Sequence, residues 1–279
     1  LNPNFAVAHS NLGSILKDLG RIEEAEISTR KAIAINPNFV NAHFNLGIIL
    51  KDLGKLPDAF DSYQRVIDID PKFSKIYPTI IEFLKNSDLS QFKKIDLKKI
   101  LTILLEKNDI SHKELFKIFK FLYSDGIINN LDPLDPDSLK NEFIFNDKLF
   151  INALKKLVFI DPKLEAQLVK IRKKICDLIA KNEYTFNYSV LEFLYALGEQ
   201  CFLNEYIYSI TEEEKKSLDI IFKRCIDGEL NEKNISILSC YYPLHRLIDK
   251  LPLLKFKTSS KSSFKELIEL QIKEPLKEI

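Results

Sequence analysis

Residues 198–209 read GEQCFLNEYIYS and set Cys201 among Glu199, Gln200, Asn204, Glu205 and three aromatic side chains. A cysteine nucleophile needs a base or a positive environment to hold its thiolate. The histidine downstream that could serve Cys201 or Cys240 is His245, in YYPLHRL. Helical spacing points elsewhere. A helix over about 187–203 puts Leu191, Leu194, Gly198 and Cys201 on one stripe and Phe193, Leu197, Gln200 and Asn204 on the adjacent one. Glu192, Ala196 and Glu199 then fall on an opposite, more polar side, which separates Glu199 from Cys201. Gln200 and Asn204, four apart, read as amides that satisfy backbone groups near a helix end. No catalytic residue is assigned on this basis.

The four cysteines, Cys176, Cys201, Cys225 and Cys240, form no C-x-x-C pair and have no zinc-cage spacing, so buried reduced thiols are expected and no metal site. Seven glycines lie no closer than seven residues apart. Phosphate-cradling loops cluster glycines so that backbone amides approach the anion, and neither G-x-G-x-x-G nor G-x-x-x-x-G-K occurs. No cofactor is expected within these residues.

Lysine plus arginine number 41 against 40 aspartate plus glutamate, which argues against a global polyanion-binding role, and no nucleic-acid partner is expected. Apolar runs such as IYPTIIEFL fall short of the roughly 18 to 20 residues of a membrane span. No signal core opens the chain, and a cytoplasmic protein is expected. Methionine is absent, the initiator included, and the chain reads as a fragment of a longer protein.

Self-similarity organises the first part. NLGSILKDLGRIEEA at 11–25 returns as NLGIILKDLGKLPDA at 45–59, a period of 34 residues. Gly13 maps to Gly47, Gly20 to Gly54, Ala25 to Ala59, Ala32 to Val66 and Pro37 to Pro71, with Pro3 one period before Pro37. Each unit predicts two amphipathic helices, about 5–19 with 23–35 and 39–53 with 57–69. Leu12, Ile15, Leu16 and Leu19 supply the apolar spacing of the first helix. His9 and His43, one period apart, read as residues packed between helices. A degenerate third unit begins at Phe73, with Ile80 and Ile81 in place of the Leu-Gly pair.

The pattern N-L-G-x-x-L-x-x-x-G-x-x-x-x-A, followed by alanine or valine and then proline, resembles the tetratricopeptide repeat family over residues 3 to about 71. That resemblance implies an all-α helix-turn-helix superhelix whose first helices line a groove for extended protein or peptide segments. Carried over by position, Asn11, Asn45, Asn41, Ser14, Lys17, Asp18, Lys51 and Asp52 would line it. An asparagine amide both donates to and accepts from a peptide backbone, whereas the alternative is a set of solvated polar positions.

The helical pattern continues past residue 86. Residues 93–107 place Ile95, Ile100, Ile103 and Leu104 on an apolar face, with solvated lysines opposite. Ser111 and Glu114 have capping-box spacing, as do Thr211 and Glu214. Residues 125–146 are rich in Pro, Asn and Asp and mark a boundary. Leu164, Leu168, Ile171, Ile175 and Leu178 then form the core stripe of a long helix, with Lys170, Arg172, Lys173 and Lys174 mostly on its other sides. A helix from Thr211 runs to Ile226, another spans about 231–241, and 255–265 is a polar, basic connection.

The expected organisation is a repeat array at 1–86, a helical connector at 87–145 and an irregular helical domain at 146–279. ALGEQCFLNEYIYSITEEEKK, ILSCYYPLHRL and ELIELQIKEPLKEI, taken in order, resemble the helical region that precedes the methyltransferase domain in bacterial proteins joining tetratricopeptide repeats to S-adenosylmethionine-dependent methyltransferases. The resemblance implies methyl transfer in the parent chain, with S-adenosylmethionine bound beyond these residues. The alternatives are a stand-alone repeat scaffold, or the targeting region of a glycosyltransferase or sulfotransferase.

Overall fold

The computed structural model describes residues 3–130, 143–183, 186–256 and 262–277, and every regular element among them is helical. The chain divides into two compact units, Leu1–Ile118 and Phe119–Ile279.

The first unit opens with α1 (Pro3–Asp18), α2 (Ile22–Ile35), α3 (Val40–Asp52) and α4 (Leu56–Ile69), close to the bounds expected from the repeat. Gly20 and Gly54 end α1 and α3 with φ of 77° and 74°, a left-handed turn that glycine adopts without Cβ strain. In each turn the next residue bonds back to the helix, Arg21 N–H to Leu16 O and Lys55 N–H to Leu50 O, both at 2.9 Å. Small residues bring the helices together. Ala25, Ala32, Ala42 and Ala59 are fully buried, and Leu16, Ala25 and Ile49 form one core cluster with Ile22 and Leu53 against it. A Cβ at Gly47 would stand 2.3 Å from Tyr63 Cε1, so only glycine lets the α4 ring lie on α3.

The apolar spacing of α1 misled in one respect. Leu16 is buried, but Leu12, Ile15 and Leu19 are exposed, because α1 packs on α2 through Ala6, Ser10, Gly13 and Leu16. The equivalent Leu46 and Ile49 of the second repeat are buried, since α2 lies against α3. His43 is buried, with Nε2 2.8 Å from Pro37 O, as a packed histidine should be.

The degenerate third repeat begins with α5 (Ile76–Asn86), followed by a 3-10 turn (Leu89–Gln91) and α6 (Lys94–Glu106). Lys117 Nζ donates to Lys85 O at 2.6 Å and Ser87 O at 2.9 Å, holding the carbonyl end of α5. Phe83 packs on Phe60, Tyr63 and Phe92. The buried face of α6 is Leu97, Ile100, Leu101, Leu104 and Leu105; Ile95, expected inside, is 74% exposed because it lies in the first turn, off that stripe. The capping box at Ser111 does not form, since His112–Leu115 is a 3-10 turn whose Ser111 side chain makes no cap bond, and Glu114 instead pairs with Lys85 at 3.1 Å.

α7 (Phe116–Asn130) crosses the division and takes in residues 125–130 of the expected boundary; residues 131–142 lie outside the described residues. The second unit continues with α8 (Phe143–Asn146), α9 (Lys148–Lys156), α10 (Pro162–Lys181), α11 (Tyr188–Leu203), α12 (Glu212–Ile226) and α13 (Glu232–Ser239). It closes with α14 (Ser262–Ile268), a π-helical turn (Glu269–Lys273) and α15 (Glu274–Lys277). Residues 257–261 of the basic connection also lie outside the described residues.

α11 is the centre of this unit, packed on α8, α9, α13 and α14, while α10 lies against α12 and α13. The stripe Leu164, Leu168, Ile171, Ile175 and Leu178 is buried as expected. Asp161 caps α10, accepting from Lys163 N–H and Leu164 N–H at 3.0 Å, and Lys120 lies 2.6 Å from its second oxygen. The Thr211 capping box forms in both directions.

Candidate functional site

The eight residues expected to line a groove all lie on α1 and α3, the first helices of their repeats. Asn11 and Asn41 are exposed, and the Asn11 side chain makes no hydrogen bond among the described residues. Asn45 is half-buried; its Nδ2 donates to Ser14 Oγ at 3.0 Å and Ser10 Oγ at 3.4 Å, which ties α3 to α1 and leaves Oδ1 without a partner among the described residues. Ser14 also donates to Ser10 O at 3.3 Å. Lys17 pairs with Asp18 at 3.0 Å and Lys51 with Asp52 at 3.9 Å. These are exposed ion pairs, with little effect on stability and a free choice of ligand partners.

Sequence reasoning stopped one repeat short. Thr79, Glu82 and Asn86 on α5 stand one period after Asn45, Ile48 and Asp52, and they line a cavity of about 160 Å³ with Lys51, Tyr63 and Phe83. Tyr63 is fully buried, and its hydroxyl has no hydrogen-bond partner among the described residues. Burial, followed by the nearby Asp52 carboxylate, raises its phenol pKa. The hydroxyl itself is shielded from solvent.

In the second unit the residues around Cys201 form a buried polar core. Arg172, expected on the outer sides of α10, is 2% exposed. Its Nη2 donates to Glu214 Oε1 at 3.1 Å and Ser209 O at 2.9 Å, and its guanidinium lies 4.1 Å from the Tyr241 ring centroid. Burial opposes the charge, but Tyr241, Cys201, Glu214 and Cys240 together hold the guanidinium pKa above its ordinary value. Burial also works against the Glu214 carboxylate, and the Thr211 N–H, Tyr241 hydroxyl and Arg172 outweigh it, so its pKa is lowered. Leu168 and Cys176 flank Arg172 at four-residue steps, and that was the sequence signal of its burial.

Cys201 has no exposed surface for a substrate to meet, and no hydrogen bond joins His245 to Cys201 or Cys240 among the described residues. All four cysteines are free and buried. Burial pushes Cys176 up to about 12 and Cys225 up to about 11, and it raises Cys240, beside Cys201, as well. Protonated thiols are poor nucleophiles. The amides differ from expectation: Gln200 Nε2 donates to Asn204 Oδ1 at 3.2 Å and Asn204 Nδ2 to Tyr208 OH at 2.8 Å, so they pair with side chains rather than with the backbone.

Glu199 and Ala196 are buried too, because α9 and α14 cover the side of α11 expected to be polar. Lys155 Nζ lies 3.8 Å from Glu199 Oε1, an attraction rather than a hydrogen bond, and pairs with Glu266 at 2.7 Å. Burial pushes the Glu199 pKa up to about 7, against the pull of Lys155. A carboxyl with a raised folded pKa binds its proton more tightly in the folded state, so its contribution falls as pH rises from the unfolded value through about 7. Glu199→Gln is therefore expected to gain about 1–3 kcal/mol relative to the parent at pH 8 and nothing near pH 4. Denaturant unfolding at both pH values checks this, and a difference independent of pH would contradict it.

Among the described residues, no group of three or more His, Cys, Asp or Glu could hold a metal ion, and no helix is long and apolar enough to cross a membrane. Helix pairs related by a 34-residue period, with glycine at the crossing and at the turn, define a helical-repeat protein of the kind that binds other proteins. A family model described as "Tetratricopeptide repeat" matches residues 40–73, and a second, "TPR repeat", matches residues 13–54. The chain thus carries tetratricopeptide repeats between residues 13 and 73. No curated protein matches it.

Proposed function

We propose that the first unit is a peptide-binding scaffold that holds an extended segment along α1, α3 and α5. The observation that carries this reading is the register of polar groups on successive first helices: the exposed Asn11 amide, Asn45 Oδ1 without a partner among the described residues, and Thr79 one period after Asn45, whose hydroxyl donates to Lys75 O at 2.8 Å and keeps its acceptor lone pairs. Backbone recognition by amides and hydroxyls grips a peptide with little demand on its side chains. With peptides selected from a displayed random library, Asn11→Ala with Asn45→Ala is expected to weaken binding about tenfold while leaving the helical content unchanged. Unchanged affinity in the folded double variant would refute the groove.

The second unit, in this reading, connects the scaffold to an S-adenosylmethionine-dependent methyltransferase domain in a cytoplasmic parent protein. The ordered segments ALGEQCFLNEYIYSITEEEKK, ILSCYYPLHRL and ELIELQIKEPLKEI support it by resemblance. Recruitment would then act by raising the local concentration of the methyl acceptor. The reading requires a glycine-rich strand-turn-helix in the coding sequence after Ile279; an immediate stop codon there would sink it.

A further inference from the structure

We propose that the groove flanking α5 selects a peptide segment with an apolar side chain next to a lysine or arginine. This rests on the peptide-binding reading of the first unit and names the chemistry of its ligand.

The groove exists because the third repeat breaks the pattern of the first two. Gly13 and Gly47 let α2 and α4 lie close against α1 and α3, through Thr29 and Tyr63 respectively. Ile81 occupies the same repeat position, one period after Gly47, and its side chain forbids that approach. α5 is not paired with α6 as α1 is with α2. A cavity of about 510 Å³ opens instead between α5 and residues 109–114, with Pro78, Ile81 and Ile110 as apolar lining. Ile81 is partly exposed there, so the cavity offers an apolar floor that the protein leaves uncovered.

Charge sets the second requirement. Glu82 lines both this cavity and the smaller one beside Tyr63, so a chain crossing α5 passes its carboxylate. The lysines that line the two cavities are already matched, Lys85 by Glu114 at 3.1 Å and Lys51 by Asp52 at 3.9 Å. Glu82 and Asp109 are exposed and form no ion pair among the described residues. The surplus is acidic and borders an apolar floor, which complements a basic residue adjoining an apolar anchor.

The test uses the whole chain and one peptide selected on it from a displayed random library, with anisotropy of its fluorescent form as readout. The selected sequences should share an apolar–basic pair, and exchanging the basic residue for glutamate should weaken binding about tenfold. Glu82→Lys with Asp109→Lys should reverse that preference, and Ile81→Asp should weaken both peptides; all three positions are at least partly exposed, so the fold should persist. If the selected sequences lack a basic residue, or the double reversal leaves affinity unchanged while Asn11→Ala with Asn45→Ala still weakens it, the groove stands and this inference falls. If no peptide is selected, or no variant alters affinity, both fall.

Discussion

Replacing Arg172 with methionine is expected to destabilise the unit Phe119–Ile279 by about 3–5 kcal/mol, the cost of leaving one member of a buried ion pair alone. The side chains of Arg172 and Glu214 are 2% and 1% exposed, so solvent cannot replace what is removed. Glu214 would keep the Thr211 N–H and the Tyr241 hydroxyl but lose its counter-charge, and Ser209 O would lose a donor. Methionine matches the arginine stem in volume, which isolates the charge from packing. Removing both charges, as in Arg172→Met with Glu214→Leu, should recover most of the loss, apart from about 1 kcal/mol for the capping box. The sign with pH follows from the lowered Glu214 pKa: the pair stabilises at neutral pH and the benefit is lost as acid titrates the carboxylate through its folded value. Amide exchange of α10 and α12, the helices the pair joins, reads this unit without interference from the repeats. A single variant within about 0.5 kcal/mol of the parent would show that the pair is not holding these helices together.

The second large effect is expected at Gln271→Leu, a loss of about 2–4 kcal/mol. Gln271 is fully buried in the π-helical turn, where the widened backbone aims its amide at α11 and α13. Its Nε2 donates to Gly198 O at 2.8 Å and Ser239 O at 3.3 Å, and its Oε1 accepts from Tyr206 OH at 3.1 Å and Leu244 N–H at 3.4 Å. Leucine fills the same space and satisfies none of these four groups. Gly198 belongs to the arrangement, because a Cβ there would lie 2.1 Å from Ser239 Oγ. The expected signature is faster exchange in α13 and α14 together, since one side chain joins both to α11. Faster exchange confined to the single turn of α15 would instead mark Gln271 as a local feature of that segment.

The parts of the fold written in spacing were legible, and the parts decided by neighbours were not. Gly13 with Gly47, Ala25 with Ala59 and Pro37 with Pro71 sufficed for the first four helices, because a repeat states its own packing twice. The Thr211 and Glu214 pair announced its capping box because both partners lie within one turn. Leu12, Ile15, Leu19 and Ile95 failed because periodicity assigns residues to a face and does not say whether another helix covers it. Arg172 and Glu199 failed for the opposite reason: their charge suggested solvent, and only the helices packed over them show otherwise. The expected groove residues could be read by register on α1 and α3, whereas Glu82 and Tyr63 required the placement of α5. Cys201, the most reactive residue type in the sequence, proved to be packed interior beside Cys240.

The central claim is that successive first helices of the repeats grip an extended peptide. Cross-linking a library-selected peptide that carries a photoreactive group, followed by mass-spectrometric mapping of the adducts on the whole chain, tests it most directly. Adducts should fall on the exposed side chains of α1, α3 and α5, at positions such as Asn11, Lys51 and Glu82. Adducts on the second helices instead, at exposed residues such as Ile27, Arg30, Asp61 and Arg65, would contradict it.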